Sequence, residues 1–137
     1  MNKNEIGKVI LRVVLGLTFF MHGLSKFQGG ISNTVGYFDS LGIPGFLAYA
    51  VAVIELIGGI ALVLGIGTRI VSILFGMIMV GAIFTAKLPA GFLGNDQMAG
   101  YELELALLAM SIYFILAGKS VVSIDQKLFN SNNNEED

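Results

Sequence analysis

The chain has no cysteine, no tryptophan, one histidine and two prolines in 137 residues. Without thiols there is no disulfide exchange, iron–sulfur cluster, thiolate zinc site or cysteine nucleophile. The single imidazole, His22, excludes bis-histidine haem ligation and the usual histidine-rich metal sites within one chain, so no metal is expected. Charge is scarce as well. Asp, Glu, Lys and Arg make up 13%, near half of the roughly 25% usual for a soluble domain. The formal net charge is −2 and no basic cluster occurs, which argues against a nucleic-acid partner.

Apolar side chains are what the sequence has in quantity. They account for 55% of it, with 18 glycines besides, and the mean hydropathy is +0.78. One domain is all that this length allows, and its core is too small to hide that much apolar surface from water. Disorder, collagen-like repeats and a disulfide scaffold are excluded on the same composition. A lipid bilayer is the expected surrounding.

Apolar stretches recur four times, at about residues 6–24, 46–67, 70–86 and 103–118, each near the length that crosses about 30 Å of hydrocarbon. Runs of this length without alternation suit helices, not barrel strands. The expected fold is all-α: an integral membrane four-helix bundle over 1–126, followed by a polar acidic tail over 127–137. Pro44 with Gly45, and Pro89 with Gly91, punctuate the spans, while Gly65–Arg69 joins the second to the third as a tight hairpin. His22-Gly23-Leu24-Ser25-Lys26 after the first stretch is no small-x-small cleavage site, so that stretch reads as a retained span. An even number of spans places Lys3, Lys8, Arg12, Arg69, Lys119 and Lys127 on one side and only Lys26 and Lys87 on the other. Both termini are then cytoplasmic. The end, Asn130–Asp137 (NSNNNEED), is expected to be disordered. In the first outer loop Ile31, Val35, Phe38 and Leu41 recur at helical spacing, which predicts a short helix in the interface or tucked over the bundle.

Ionisable groups inside the spans carry the most information, because a charge in hydrocarbon costs several kcal/mol unless it faces protein or water. Lys8, Arg12, Leu15, Thr18, His22 and Lys26 fall within an arc of about 120° at 100° per residue, so one face of the first helix should look inward. Glu55 lies deep in the second span, on the face that also bears Gly58 and Gly59, where another helix can approach closely. In the fourth span Glu102 shares a face with Ala106, Ala109 and Tyr113, where the small alanines predict a helix contact, whereas Glu104 points about 200° away. By depth, His22, Lys26, Lys87, Glu102 and Glu104 gather near the outer boundary, with Glu55 below them. Arg12 and Arg69 belong to the inner half, where Asp125 is available as a partner. This cluster reads either as a polar pocket for a small ligand or proton path, or as an ion-paired network that fixes helix register. Gly65-x-Gly67 has neither the preceding strand nor the third glycine of a dinucleotide fingerprint. Met77, Met79 and Met110 read as packing, and Ser72, Thr85 and Ser111 as bonded to helix carbonyls.

Several of these segments, in this order, resemble the DoxX family of small bacterial membrane proteins. They are His22-Gly-Leu-Ser-Lys26-Phe27, Glu55-Leu-Ile-Gly58-Gly59, Gly65-x-Gly67-Thr68-Arg69, Gly100-Tyr-Glu102-Leu-Glu104-Leu and Ser123-Ile124-Asp125. The resemblance covers about residues 6–126 and is nearest to the members linked to quinone or catechol resistance. It departs from many relatives at Gly118-Lys119-Ser120, where they read Gly-x-Gly. The resemblance implies a four-helix plasma-membrane protein that works within membrane oxidoreductase systems, and it carries over His22, Lys26, Glu55, Arg69, Glu102, Glu104 and Asp125.

The leading expectation is a quinone-linked oxidoreductase component, with a quinone as substrate and no resident cofactor identified. Glu55, His22 and Glu102 are the expected catalytic groups. Lys26, Lys87 and Glu104 are the expected substrate contacts, and Arg12, Arg69 and Asp125 the structural groups of the inner side. One alternative is a non-catalytic membrane anchor or assembly subunit for a soluble oxidoreductase. The other is a small proton-coupled exporter, disfavoured because its embedded acid would sit in the first span and tryptophan is absent. A soluble oxidoreductase partner and self-association both stay open.

Overall fold

A computed structural model describes residues 1–117 and 123–128. Among these the chain is helical, its one β feature being an isolated bridge between Gly94 and Ala99. The helices are α1 (Lys3–Gln28), α2 (Ile31–Ser40), α3 (Phe46–Leu64), α4 (Thr68–Ala82) and α5 (Glu102–Leu116). A π-helical turn, Ile83–Lys87, and a 3-10 turn, Leu88–Ala90, extend α4. Three helical stretches, Lys3–Gln28, Phe46–Leu64 and Thr68–Ala90, are long and apolar enough to cross a membrane. Over the fourth expected span the described residues form a 15-residue helix, α5, which is not among the three stretches of membrane-crossing length. Residue 118, where that span is expected to end, lies outside the described residues, as do Lys119 and the stretch 130–137 expected to be disordered. Residues 124–128 form a helical turn.

Local chemistry sets the helix ends. The Asn2 side chain accepts the Glu5 N–H at 2.9 Å and starts α1, as an N-cap residue should. Gly65, at φ +75°, ends α3. The Ile66 N–H reaches the Ala61 carbonyl at 2.8 Å and the Gly65 N–H reaches that of Leu62 at 3.1 Å, the paired bonds of a left-handed glycine cap. Pro89 has no N–H to give to the carbonyl four residues back, and the helix tightens and rotates around it.

Helices α1 and α3 pack as one antiparallel pair because small residues face each other. A Cβ built on Gly16 would lie 2.7 Å from the Gly59 carbonyl oxygen, and one on Gly23 would lie 2.6 Å from the Leu56 nitrogen and 3.0 Å from the Ala52 oxygen. Both contacts advance by seven residues on each helix, which fixes the register. In a bilayer, lipid competes for apolar contacts, so such backbone proximity supplies much of the association. Helices α4 and α5 form the second pair. The Phe19 and Phe75 rings, stacked at 3.8 Å and 17°, join α1 to α4 within a core of Leu15, Phe19, Leu62, Phe75, Met79, Leu107 and Phe114.

The perimeter is apolar. On α1 the exposed Ile10, Val14, Leu17 and Met21 follow one another at helical spacing, opposite the buried Arg12, Leu15 and Phe19. Exposed Val53, Ile57, Ile60 and Leu64 do the same on α3, and Ile70, Met77 and Phe84 on the α4 side. So large an apolar surface on a protein of this size needs lipid against it.

Candidate functional site

Beside the Phe19–Phe75 stack lies a cavity of about 700 Å³, lined by residues of both helix pairs and of α2. A volume of that order suits a small organic ligand. Its walls are chiefly apolar, with Phe19, Phe38, Leu47, Val51, Ile78 and Leu107 among them. Five of the titratable residues singled out in the sequence also line it: His22, Lys26, Glu55, Lys87 and Glu104.

Glu55 is 3% exposed, and Lys26 Nζ donates to both its carboxylate oxygens, at 3.0 and 2.9 Å. The register explains how they meet. Opposite Gly16–Gly59 and Gly23–Ala52, Glu55 lies level with residue 20, so Lys26 starts about six residues, or about 9 Å, farther out. Side chains lean toward the N-terminus of their own helix. In an antiparallel pair Lys26 therefore leans inward and Glu55 outward, and the long lysine stem closes the gap. His22, one turn before Lys26 and itself exposed, acts electrostatically on the same carboxylate.

The second pair comes from the other side of the bundle. Lys87, at the end of the π-helical turn, stands 3.7 Å from Glu104 at the start of α5. A π turn inserts a residue into the helical repeat and re-aims the side chains beyond it, a device frequent at functional sites. Glu104 Oε2 is buried with no hydrogen-bond partner among the described residues.

The orientation expected for the fourth helix is reversed. Glu102, Ala106, Ala109 and Tyr113 are exposed, while Glu104, Leu107, Leu108, Ser111 and Phe114 face the bundle. Alanines suit a helix contact, but the bulkier Leu107 and Phe114 fill the space beside Phe75 and so decide which face turns in. Glu102 is therefore not among the groups that share the cavity. The cluster holds two carboxylates, two amines and one imidazole.

Arg12, Arg69 and Asp125 lie at the far end. Asp125 accepts the N–H groups of Gly67 at 2.9 Å and Thr68 at 3.2 Å, capping α4 from a distant part of the chain. Its own N–H donates to the Gly65 carbonyl at 3.0 Å. Arg12 is 3% exposed and interacts electrostatically with Asp125. Arg69 is exposed. The Gly65-x-Gly67 turn thus serves as a docking point for 123–125.

Of the three hydroxyls expected to bond helix carbonyls, Thr85 reaches Gly81 at 2.6 Å and Ser111 reaches Leu107 at 2.8 Å. Ser72 Oγ is buried without a partner among the described residues. Asn33, Thr34 and Tyr37 of α2 line the cavity as well, and as uncharged residues of a short helix they carry no signal of their own for a site. Together with Phe38 and Leu41 they fall at positions 33–34, 37–38 and 41, the spacing of one helical face, and that periodicity is the available signal. Leu47, Met77 and Gly81 line the cavity and are exposed, as are His22, Asn33, Tyr37, Thr85 and Leu103, so its rim is not confined to one pair of helices. Among the described residues no three His, Asp or Glu side chains are grouped to hold a metal ion.

An all-helical chain with three membrane-length helices and an ion-paired cavity defines a small helical membrane protein, and comparison with known proteins supplies the family. The DoxX family model matches residues 7–88. A Bacillus subtilis protein named "Putative oxidoreductase CatD" is 46% identical over 98% of this chain and 96% of its own length. An uncharacterized membrane protein of Mycobacterium tuberculosis is 32% identical over 88% of this chain and 80% of its own length. The Escherichia coli inner membrane protein YqjF is 25% identical over 81% of this chain and 90% of its own. No solved structure matches. The chain belongs to the DoxX family and is a membrane protein.

Proposed function

We propose that this protein is a four-span component of the bacterial plasma membrane, with both termini cytoplasmic, in a quinone-linked oxidoreductase system for quinone, catechol or oxidative-stress resistance. Residues 1–126 form the membrane unit and 127–137 its cytoplasmic tail. The observation that carries this reading is the cavity: apolar walls, exposed lining residues at its rim, and the Lys26–Glu55 and Lys87–Glu104 pairs within it. A quinone is flat and apolar with two carbonyl oxygens, so it partitions into lipid and enters from the side. Lys26 or His22 donates a hydrogen bond to one carbonyl, and Glu55 relays the proton that accompanies reduction. Glu102, exposed beyond the cavity, is left out of this scheme. Electrons come from a partner protein or a diffusible reductant, since no side chain here carries them. The name borne by the Bacillus subtilis relative agrees with this class of chemistry.

Glu55→Gln tests the relay. It is expected to abolish resistance to a quinone challenge while the amount of protein in the membrane stays normal, as read by immunoblot of membrane fractions. Full resistance in that variant refutes the role.

A second reading is favoured by the completeness of the Lys26–Glu55 bridge, in which both carboxylate oxygens are already bonded. In it the pairs set helix register, and the chain anchors a soluble oxidoreductase. Glu55→Gln would then lower the membrane level, with no separate loss of turnover, and a stoichiometric redox enzyme would co-purify in mild detergent. Counterflow of a labelled compound in proteoliposomes would instead mark an exporter.

A further inference from the structure

The two ion pairs in the cavity are not equivalent. Lys26 Nζ satisfies both oxygens of Glu55 at 3.0 and 2.9 Å. Lys87 Nζ stands 3.7 Å from Glu104 Oε1, beyond hydrogen-bond reach. Glu104 Oε2 is buried and unpartnered among the described residues, on a side chain only 15% exposed. A carboxylate held out of water with an empty acceptor is costly, and such a group favours whatever fills it. Glu104 is also part of the cavity wall. The unmet demand in this site is therefore for a donor.

We infer that Glu104 determines specificity, making the cavity prefer a flat apolar guest with a hydroxyl donor to the same guest with acceptors only. The inference rests on the quinone-linked reading and deepens it: the form held best is the hydroquinone, whose hydroxyl groups can donate, and the quinone is the weaker guest. A neutral donor fits better than an ammonium. The formal charges of Lys26, Lys87, Glu55 and Glu104 already cancel, so a cation would leave a net charge among apolar walls. Access to the oxygen needs little motion. The terminal torsion of a glutamate is broad and roughly two-fold, and its two oxygens turn together, so a rotated carboxylate presents an oxygen to a guest and keeps its charge near Lys87. Nothing comparable is open at Glu55, whose oxygens are both bonded to Lys26.

The test uses the purified full chain in lipid nanodiscs, with equilibrium dialysis against empty nanodiscs of the same lipid. Three redox-stable or oxidised probes are compared: a long-chain alkylphenol, its methyl ether and an alkylated benzoquinone. The phenol and ether differ in one donor and little else. The phenol is expected to bind at least tenfold more tightly than the ether, equivalent to about 1.4 kcal/mol. The preference should shrink below twofold in the double variant Lys87→Met/Glu104→Met, which removes both halves of the pair and strands no charge. Glu104→Gln keeps an oxygen acceptor of similar volume without the charge, and is expected to give an intermediate preference. Equal binding of phenol and ether by the unaltered chain overturns the inference, and so does a tenfold preference that survives in the double variant. If the quinone binds saturably while phenol and ether do not differ, the donor rule fails and the quinone site stands. If no probe binds above the empty-nanodisc background, both fall.

Discussion

Replacing Gly59 with alanine would put a methyl group 2.6 Å from the Gly16 carbonyl oxygen, 2.6 Å from the Phe20 nitrogen and 2.8 Å from the Phe20 Cα. All three are backbone atoms, so no flexible side chain can yield. To restore ordinary contact, α1 and α3 must move apart by about 0.8 Å, and a gap of that order forfeits a quarter to a half of the dispersion energy of each contact it opens. Overpacking of this kind costs roughly 1–3 kcal/mol, and here it acts along the whole Gly16–Gly23 seam. The same movement would stretch the Lys26–Glu55 bridge at 2.9 Å, so the site should loosen with the fold. An internal control exists in Gly81, where a Cβ would meet nothing within 4 Å. Alanine there should be neutral or stabilising by up to about 1 kcal/mol, since it favours helix more than glycine does. Reversible unfolding in mixed detergent micelles titrated with SDS, followed by circular dichroism, measures both. If Gly59→Ala and Gly81→Ala prove equally stable, the close-approach account of this bundle is wrong.

Three further outcomes are expected. Asp125→Asn removes the charge from a carboxylate that caps Gly67 and Thr68 and faces Arg12, and should cost about 1–2 kcal/mol. Trypsin added to inside-out vesicles should then cut faster at Lys127, and an unchanged rate would count against the docking role. Phe75→Ala removes one ring of the stacked pair at 3.8 Å and should destabilise by roughly 3–5 kcal/mol in the same SDS titration. A Cβ at Gly81, which lines the cavity, meets nothing within 4 Å, so Gly81→Leu should leave stability close to normal while its larger side chain at the cavity wall slows quinone uptake into the nanodisc-held protein, as seen by stopped-flow quenching of a fluorescent quinone analogue. Unchanged uptake would place the entrance elsewhere.

How much of the fold and site is legible in the sequence varies from residue to residue. Lys26 and Glu55 can be put at compatible depths from the helical repeat, because charges in apolar runs must turn inward. Their direct bridge cannot, since it depends on a seven-residue register that only the fit of Gly16 on Gly59 supplies. Glu102 and Glu104 show the reverse. Periodicity establishes that the two carboxylates point different ways, and small neighbours favour Glu102 as the inward one. The volume to be filled beside Phe75 turns Leu107 and Phe114 inward, and Glu104 with them. Asp125 is assigned to the inner side by charge counting, but its role as a cap on α4 needs the 65–67 turn to be placed beside it.

The sequence by itself determined that this chain is helical, needs lipid around it, and must turn inward the charges that lie deep in its apolar runs, Arg12 and Glu55. Those conclusions rest on composition and period, which act through solvation and do not depend on which helix meets which. The tertiary structure decided which helices pair, which glutamate faces the cavity, and that α2 closes over it. Those outcomes come from short-range repulsion and packing between segments far apart in the chain, and such forces leave no periodic trace in any one segment.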